Sequence, residues 1–164
     1  MSVTHVAGVD PGLVHTGVVE LVFDSARKDL EIIPTTVVGP DADAVRQVVN
    51  PKPWNQRAVF IEGYRPRSNF GTDQRMVVAV KEMKDALRGA IVLNNTGVKK
   101  VVKKPLMQLL EVWSFPTVTH HQDLRSAARI ALLGMLKDPA LNRLLSDMVR
   151  DHLKGGGWNV HVTI

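Results

Sequence analysis

Two short apolar runs in this chain each end in an acid, and few folds tolerate both. VAGV leads into Asp10 and AVFI leads into Glu62. Residues 3–10 (VTHVAGVD) are rich in β-branched side chains and read as a strand. Residues 58–62 (AVFIE) have the pattern of a buried parallel strand. A carboxylate closing such a strand is costly unless it is paired or bound to a cation. If the two strands are neighbours, their acids share one edge of a sheet, and hard oxygen ligands there suit Mg²⁺ or Mn²⁺. Each acid also has a plainer use as a capping or turn residue, and Asp10-Pro11-Gly12 is favourable turn chemistry.

The rest of the pattern supplies the sheet and its cover. PGLVHTG reads as a tight turn, residues 17–24 as a second strand and 29–38 as a third, giving an antiparallel meander. DADAVRQVV is a short helix with Asp41 near its cap. Residues 73–88 form an amphipathic helix with Met76, Val80, Met83 and Leu87 on its apolar face. AIVLNN is a fifth strand, and PLMQLLEVW a helix with Pro105 in its first turn. Residues 121–136 form a helix whose small residues Ser126, Ala127, Ala128 and Ala131 allow close packing on the sheet. A helix over 139–153 follows, broken by Gly155 to Gly157, and WNVHVTI is a last strand or a tail. Three early strands, then strands alternating with helices, give a mixed five-stranded α/β sheet flanked by helices.

The 164 residues suit one domain, with a core over about 3–136 and a C-terminal helix and tail over 139–164. At 45% apolar the chain can fill a core, yet no run is long enough to span a bilayer. Residues 1–10 lack the basic and apolar regions of a signal peptide, so the expected compartment is the cytoplasm. With no cysteine, disulfides, thiol catalysis and cysteine-bound zinc are excluded. A net charge of +5 favours phosphate backbones as partners, although many basic domains bind no nucleic acid.

A third polar cluster, His120-His121-Gln122-Asp123, opens the helix over 121–136. His120 and Asp123 are three apart, so on a helix they point the same way. An aspartate near a helix N-terminus also complements the helix dipole without further purpose.

Taken in order, these segments resemble the RuvC-like nucleases of the RNase H-like superfamily. VAGVDPGLVHTGVVEL is similar to their first strand, turn and second strand, where Asp-Pro-Gly precedes a Thr-Gly. AVFIEGY resembles their fourth strand, ending in a catalytic glutamate. HHQDLRSAARIALL resembles their last catalytic helix, with an acid or histidine three residues before an aspartate. The chain is shorter and more divergent than the cellular enzymes, closer to virus-borne relatives, which would place it in host cytoplasm.

The resemblance implies a Holliday junction resolvase, an endonuclease of recombination and repair. Asp10, Glu62, His120 and Asp123 would be its catalytic and metal-binding residues, with His121 one residue out of register. Two Mg²⁺ ions, with Mn²⁺ as substitute, about 3.5–4 Å apart would serve the reaction. Asp10 would bridge them, Glu62 and Asp123 would each hold one, and His120 would complete a site or handle a proton. Water would attack in line with the departing 3′ oxygen and leave a 5′ phosphate.

Beyond the acids, Lys99, Lys100, Lys103 and Lys104, with Arg65, Arg67 and Arg75, lie near the expected edges of the site, where they would meet phosphates or simply face solvent. Tyr64 and Phe70 follow Glu62; an aromatic there would stack on an unpaired base of a branched DNA or anchor a loop. A four-way junction is two-fold symmetric, so a homodimer would match it. The apolar face of the helix over 73–88 is the candidate interface, and core packing explains the same face. Three rivals stand beside this reading: a nuclease of the same fold acting on RNA–DNA hybrids, flaps or RNA precursors; a sugar-kinase or actin-like ATPase, for which the chain lacks a second domain and phosphate loop; and a non-catalytic nucleic-acid binder.

Overall fold

The computed structural model describes residues 3–49, 56–66, 71–115 and 121–164. Three strands lead: β1 (Val3–Asp10), β2 (His15–Asp24) and β3 (Asp29–Val38). After α1 (Ala42–Val49) come β4 (Gln56–Glu62), α2 (Gln74–Ala86) and β5 (Ile91–Leu93). The short helices α3 (Val98–Val101) and α4 (Lys104–Leu109) precede α5 (His121–Lys137), α6 (Pro139–Leu153) and β6 (Asn159–Val162). The expected meander is present, with β1 and β2 antiparallel and β2 and β3 antiparallel. The sheet has six strands rather than five, in the order β5-β4-β1-β2-β3-β6. The additional one is β6, drawn from WNVHVTI, which pairs in parallel with the first residues of β3.

Side chains alternate between the two faces of a strand, and each face carries its own core. Val6, Val19, Leu21, Phe23 and Phe60 join α5 and α6 in the larger core. Ala7, Val9, Val18, Val59 and Ile61 meet α1 and α2 in the smaller one. In α2, Met83 and Leu87 are fully buried there and Val80 packs against them. The apolar face expected as a dimer interface is therefore core. The large apolar residues that α2 leaves in solvent are Val77 and Val78.

Helix ends follow local chemistry. Asp138 accepts the Ala140 and Leu141 amides ahead of α6, with Pro139 in its first turn. Asp41 accepts the Ala44 amide beside α1, and Asp73 caps α2. Among the described residues no helix is long and apolar enough to cross a membrane.

Helix α5 runs across β1 and β2 at very short range. A Cβ on Gly8 would collide with the carbonyl of Ala127, and one on Gly17 would lie 2.6 Å from the carbonyl oxygen of Asp123. Ala127, Ala128 and Ala131 are buried as expected, but Ser126 is only partly buried and faces a cavity.

Candidate functional site

The strand ladders place the acids together. β1 and β4 run in parallel, with Val9 level with Ile61, so Asp10 and Glu62 follow at the same height on adjacent strands. The two-residue period puts Asp10 on the face of Val6 and Glu62 on the face of Phe60, and both of those residues meet α5. Asp10 pairs with Gly17 on β2. Because Gly17 has no side chain, the first turn of α5, which carries Asp123, settles beside the strand end.

The turn that holds Asp10 is fixed by its own sequence. The buried Thr16 hydroxyl accepts the Gly12 amide at 3.3 Å and donates to the Gly39 carbonyl at 2.9 Å. Thr16 thus ties the turn after β1 to the end of β3, and Gly17 admits α5. That gives each polar or small residue of the Asp-Pro-Gly…Thr-Gly segment a mechanical purpose.

Electrostatics show how closely the acids crowd. The Asp10 carboxyl is pushed up to about 9, first by burial, then by the charge of Glu62, its hydrogen bond with Glu62 and the charge of Asp123. Two neighbouring carboxylates in a partly buried site cannot both ionise cheaply. A divalent cation would remove this penalty, and the oxygen-only donor set suits Mg²⁺ or Mn²⁺. Among the described residues, no three His, Asp or Glu side chains already converge as a closed ligand set. What favours a cation here is the chemistry of Asp10 and Glu62, two carboxylates level on adjacent strand ends.

Glu62 is steadied by a residue that sequence reasoning missed. Asn95, two residues beyond β5, donates from its side-chain amide to Glu62 Oε1. Glu62 and Asn95 also line a cavity of about 310 Å³ with Lys99, Lys100, Ser126 and Arg129. Ser126 follows Asp123 by three residues and Arg129 by six, a spacing that was visible in the sequence but had no meaning until Asp123 was placed. Among the lysines, Lys99 and Lys100 stand beside Glu62; Lys103 is exposed ahead of α4, and Lys104 lies over the Trp113 ring.

The histidine pair divides. His120 lies outside the described residues. The Nδ1 of His121 accepts the Phe115 amide at 3.1 Å. A neutral ring accepting through Nδ1 carries its proton on Nε2 and has no lone pair left for a metal. His121 thus serves to hold the chain entering α5.

The groups after Glu62 are mostly occupied. The Tyr64 hydroxyl accepts the Asp73 amide at 2.9 Å, which anchors the start of α2. Arg75 is clamped on Asp73, with Nη2 to Oδ2 at 3.0 Å. Arg65 donates to the Thr96 hydroxyl. Arg67 and Phe70 lie outside the described residues.

The chain matches no family model and no curated protein. Solved structures do match. Thermus thermophilus RuvC is 17% identical with a TM-score of 0.57, over 87% of this chain and 97% of that one. The same protein in complex with a Holliday junction substrate gives 16% and 0.52, over 79% and 91%. The yeast mitochondrial Holliday junction resolvase Ydc2 gives 14% and 0.54, over 91% and 85%. At these identities the likeness is one of architecture, and it extends over most of each chain. The chain therefore shares the fold of Thermus thermophilus RuvC and of Ydc2.

Proposed function

We propose that this chain is a divalent-metal-dependent endonuclease that hydrolyses phosphodiesters in branched DNA, with the four-way junction as its substrate. The observation that carries the reading is the crowding of Asp10 by Glu62, level with it on the neighbouring strand, and by the charge of Asp123 in the first turn of α5. The fold shared with proteins named as Holliday junction resolvases supports the choice of substrate.

Asp10, Glu62, Asp123 and His120 would hold two Mg²⁺ ions, with Mn²⁺ as substitute. The ions would supply an activated water and stabilise the departing oxygen. Asp10 must release its proton for this, which burial and the neighbouring acids oppose and a cation would favour. Asn95 holds Glu62 through Oε1. Lys99, Lys100 and Arg129 line the same cavity as Glu62 and would draw in the phosphate. In the reaction the water oxygen bonds to phosphorus, the bond to the 3′ oxygen breaks, and that oxygen takes up a proton, leaving a 5′ phosphate.

A homodimer would match the junction's symmetry. Its surface is sought where α2 leaves Val78 beside Leu13 and Pro40, rather than on the buried face of that helix.

The test is cleavage of a mobile synthetic four-way junction against a linear RNA–DNA hybrid, with and without Mg²⁺. The expected result is Mg²⁺-dependent paired nicks in the junction and little cutting of the hybrid. Asp10→Asn and Glu62→Gln should abolish cutting and leave junction binding largely intact. Normal cutting by both variants would overturn the site, and preference for the hybrid would overturn the substrate.

A further inference from the structure

Beside the acidic pocket, three cations gather on one indole. The Arg125 guanidinium carbon lies 3.8 Å from the centroid of the Trp113 ring, Lys104 Nζ 4.9 Å and the Arg129 guanidinium carbon 5.4 Å. Arg125 Nε also donates to the Trp113 carbonyl at 2.9 Å. Arg125 and Arg129 are four residues apart on α5, so they lie on neighbouring turns of one face. Such like charges oppose one another, and burial together with the charge of Arg125 lowers the Arg129 pKa.

The charge of Glu62 partly offsets this at Arg129, from beyond ion-pair distance. Among the described residues no carboxylate is within ion-pair distance of Lys104, Arg125 or Arg129. By contrast, Arg27, Lys28, Arg46, Arg75 and Arg150 each hold an aspartate. Arg129 Nε is shielded from solvent and meets no acceptor among the described residues. Arg129 also lines the cavity that contains Glu62, Lys99 and Lys100. An aromatic face stabilises cations without neutralising them, so the cluster keeps its charge for a polyanion.

We propose that Lys104, Arg125 and Arg129, ordered by Trp113, form a track that carries the phosphodiester backbone of a nucleic-acid strand away from the acidic pocket. Trp113 is a positioning residue here: Arg125 is stacked on its ring, so its task is to aim the guanidinium groups rather than to receive a base. The inference rests on reading the acidic pocket as a nuclease site.

The test uses full-length protein carrying Asp10→Asn, so that substrate stays uncut, and measures affinity for a four-way junction and for linear duplex across a salt series. Lys104→Gln with Arg129→Gln should weaken both complexes by about tenfold or more. It should also flatten the plot of log affinity against log salt by roughly 0.9 for each lost contact. The loss should be uniform across sequences. Lys81→Gln with Lys84→Gln, exposed on α2, should change the slope little. If the double variant loses its fold by circular dichroism, Lys104→Gln alone, at an exposed position, should still lower the slope by roughly 0.9. An unchanged slope in a folded variant, or an equal fall for the α2 pair, overturns the track. If wild-type protein cuts junctions while the slope is unchanged, the track alone fails. If the slope falls but wild-type protein shows no junction cutting, the track stands and the nuclease reading fails.

Discussion

Gly17 lies against the backbone of Asp123, so close that a Cβ would come within 2.6 Å of the aspartate's carbonyl oxygen. Gly17 is also the ladder partner of Asp10. One residue without a side chain therefore sets the distance between two acids that are 113 positions apart in the sequence. Gly17→Ala should push the first turn of α5 away from β2. We expect a loss of roughly 1–3 kcal/mol in stability, read by urea denaturation. Cleavage should fall further than the unfolded fraction explains; activity that merely tracks the folded population would refute the spacing role.

Asn95 is expected to matter through Glu62 alone. Asn95→Ala removes the donor to Oε1 and frees the carboxylate to rotate. Losing a partner that orients a ligand typically costs about 10–100-fold in metal affinity or activity. Titrating Mg²⁺ against cleavage rate should show the variant needing more metal, with junction affinity unchanged. A normal metal requirement would remove Asn95 from the site.

The elevated Asp10 pKa makes a statement about pH. Its carboxyl titrates near 9 in the folded chain against an ordinary 3.8. The folded state thus keeps a proton that the unfolded state gives up. The stabilisation from this group is complete below about pH 4 and is lost as pH rises toward about 9. Metal-free protein should melt at progressively lower temperature across that window. Adding Mg²⁺ or Mn²⁺ should raise the melting temperature most at the alkaline end, and Asp10→Asn should flatten the profile. A metal-independent profile in the parent protein would contradict the crowded-acid picture.

The two histidines should separate by phenotype. His121→Ala leaves the Phe115 amide without its acceptor, at a cost of about 1–3 kcal/mol, and should lower the melting temperature. His120→Ala should instead lower the cleavage rate with little effect on melting. Reversed outcomes would transfer the ligand role to His121.

Much of this arrangement could be read from local pattern. The boundaries of β1, β3 and α6 follow from β-branched runs, turn residues and the Asp138-Pro139 cap. Asp10 and Glu62 stood out because acids rarely close apolar strands. What local pattern leaves open depends on long-range pairing. WNVHVTI reads as a strand or a tail, because the four residues of β6 gain their identity from β3, far away in sequence. The four residues of α3 are mostly exposed and carry two lysines, so they show no helical stripe. Asn95 and Arg129 look like ordinary surface residues until β5 and α5 are set beside Glu62. Tyr64, a candidate for base stacking or for anchoring a loop, accepts the amide of the α2 cap residue Asp73.

The strand order has a last consequence, for how copies of this protein meet. The sheet's outermost members, β5 and β6, have three and four residues, too short to template an added strand. Beyond β6, the exposed length of β3 contains Pro34, which has no amide hydrogen to offer. Proteins that blunt their margins in this way resist edge-to-edge stacking and the aggregation it seeds. Among the described residues these short and proline-bearing margins favour assembly through helices and loops, where shape and charge can discriminate between partners.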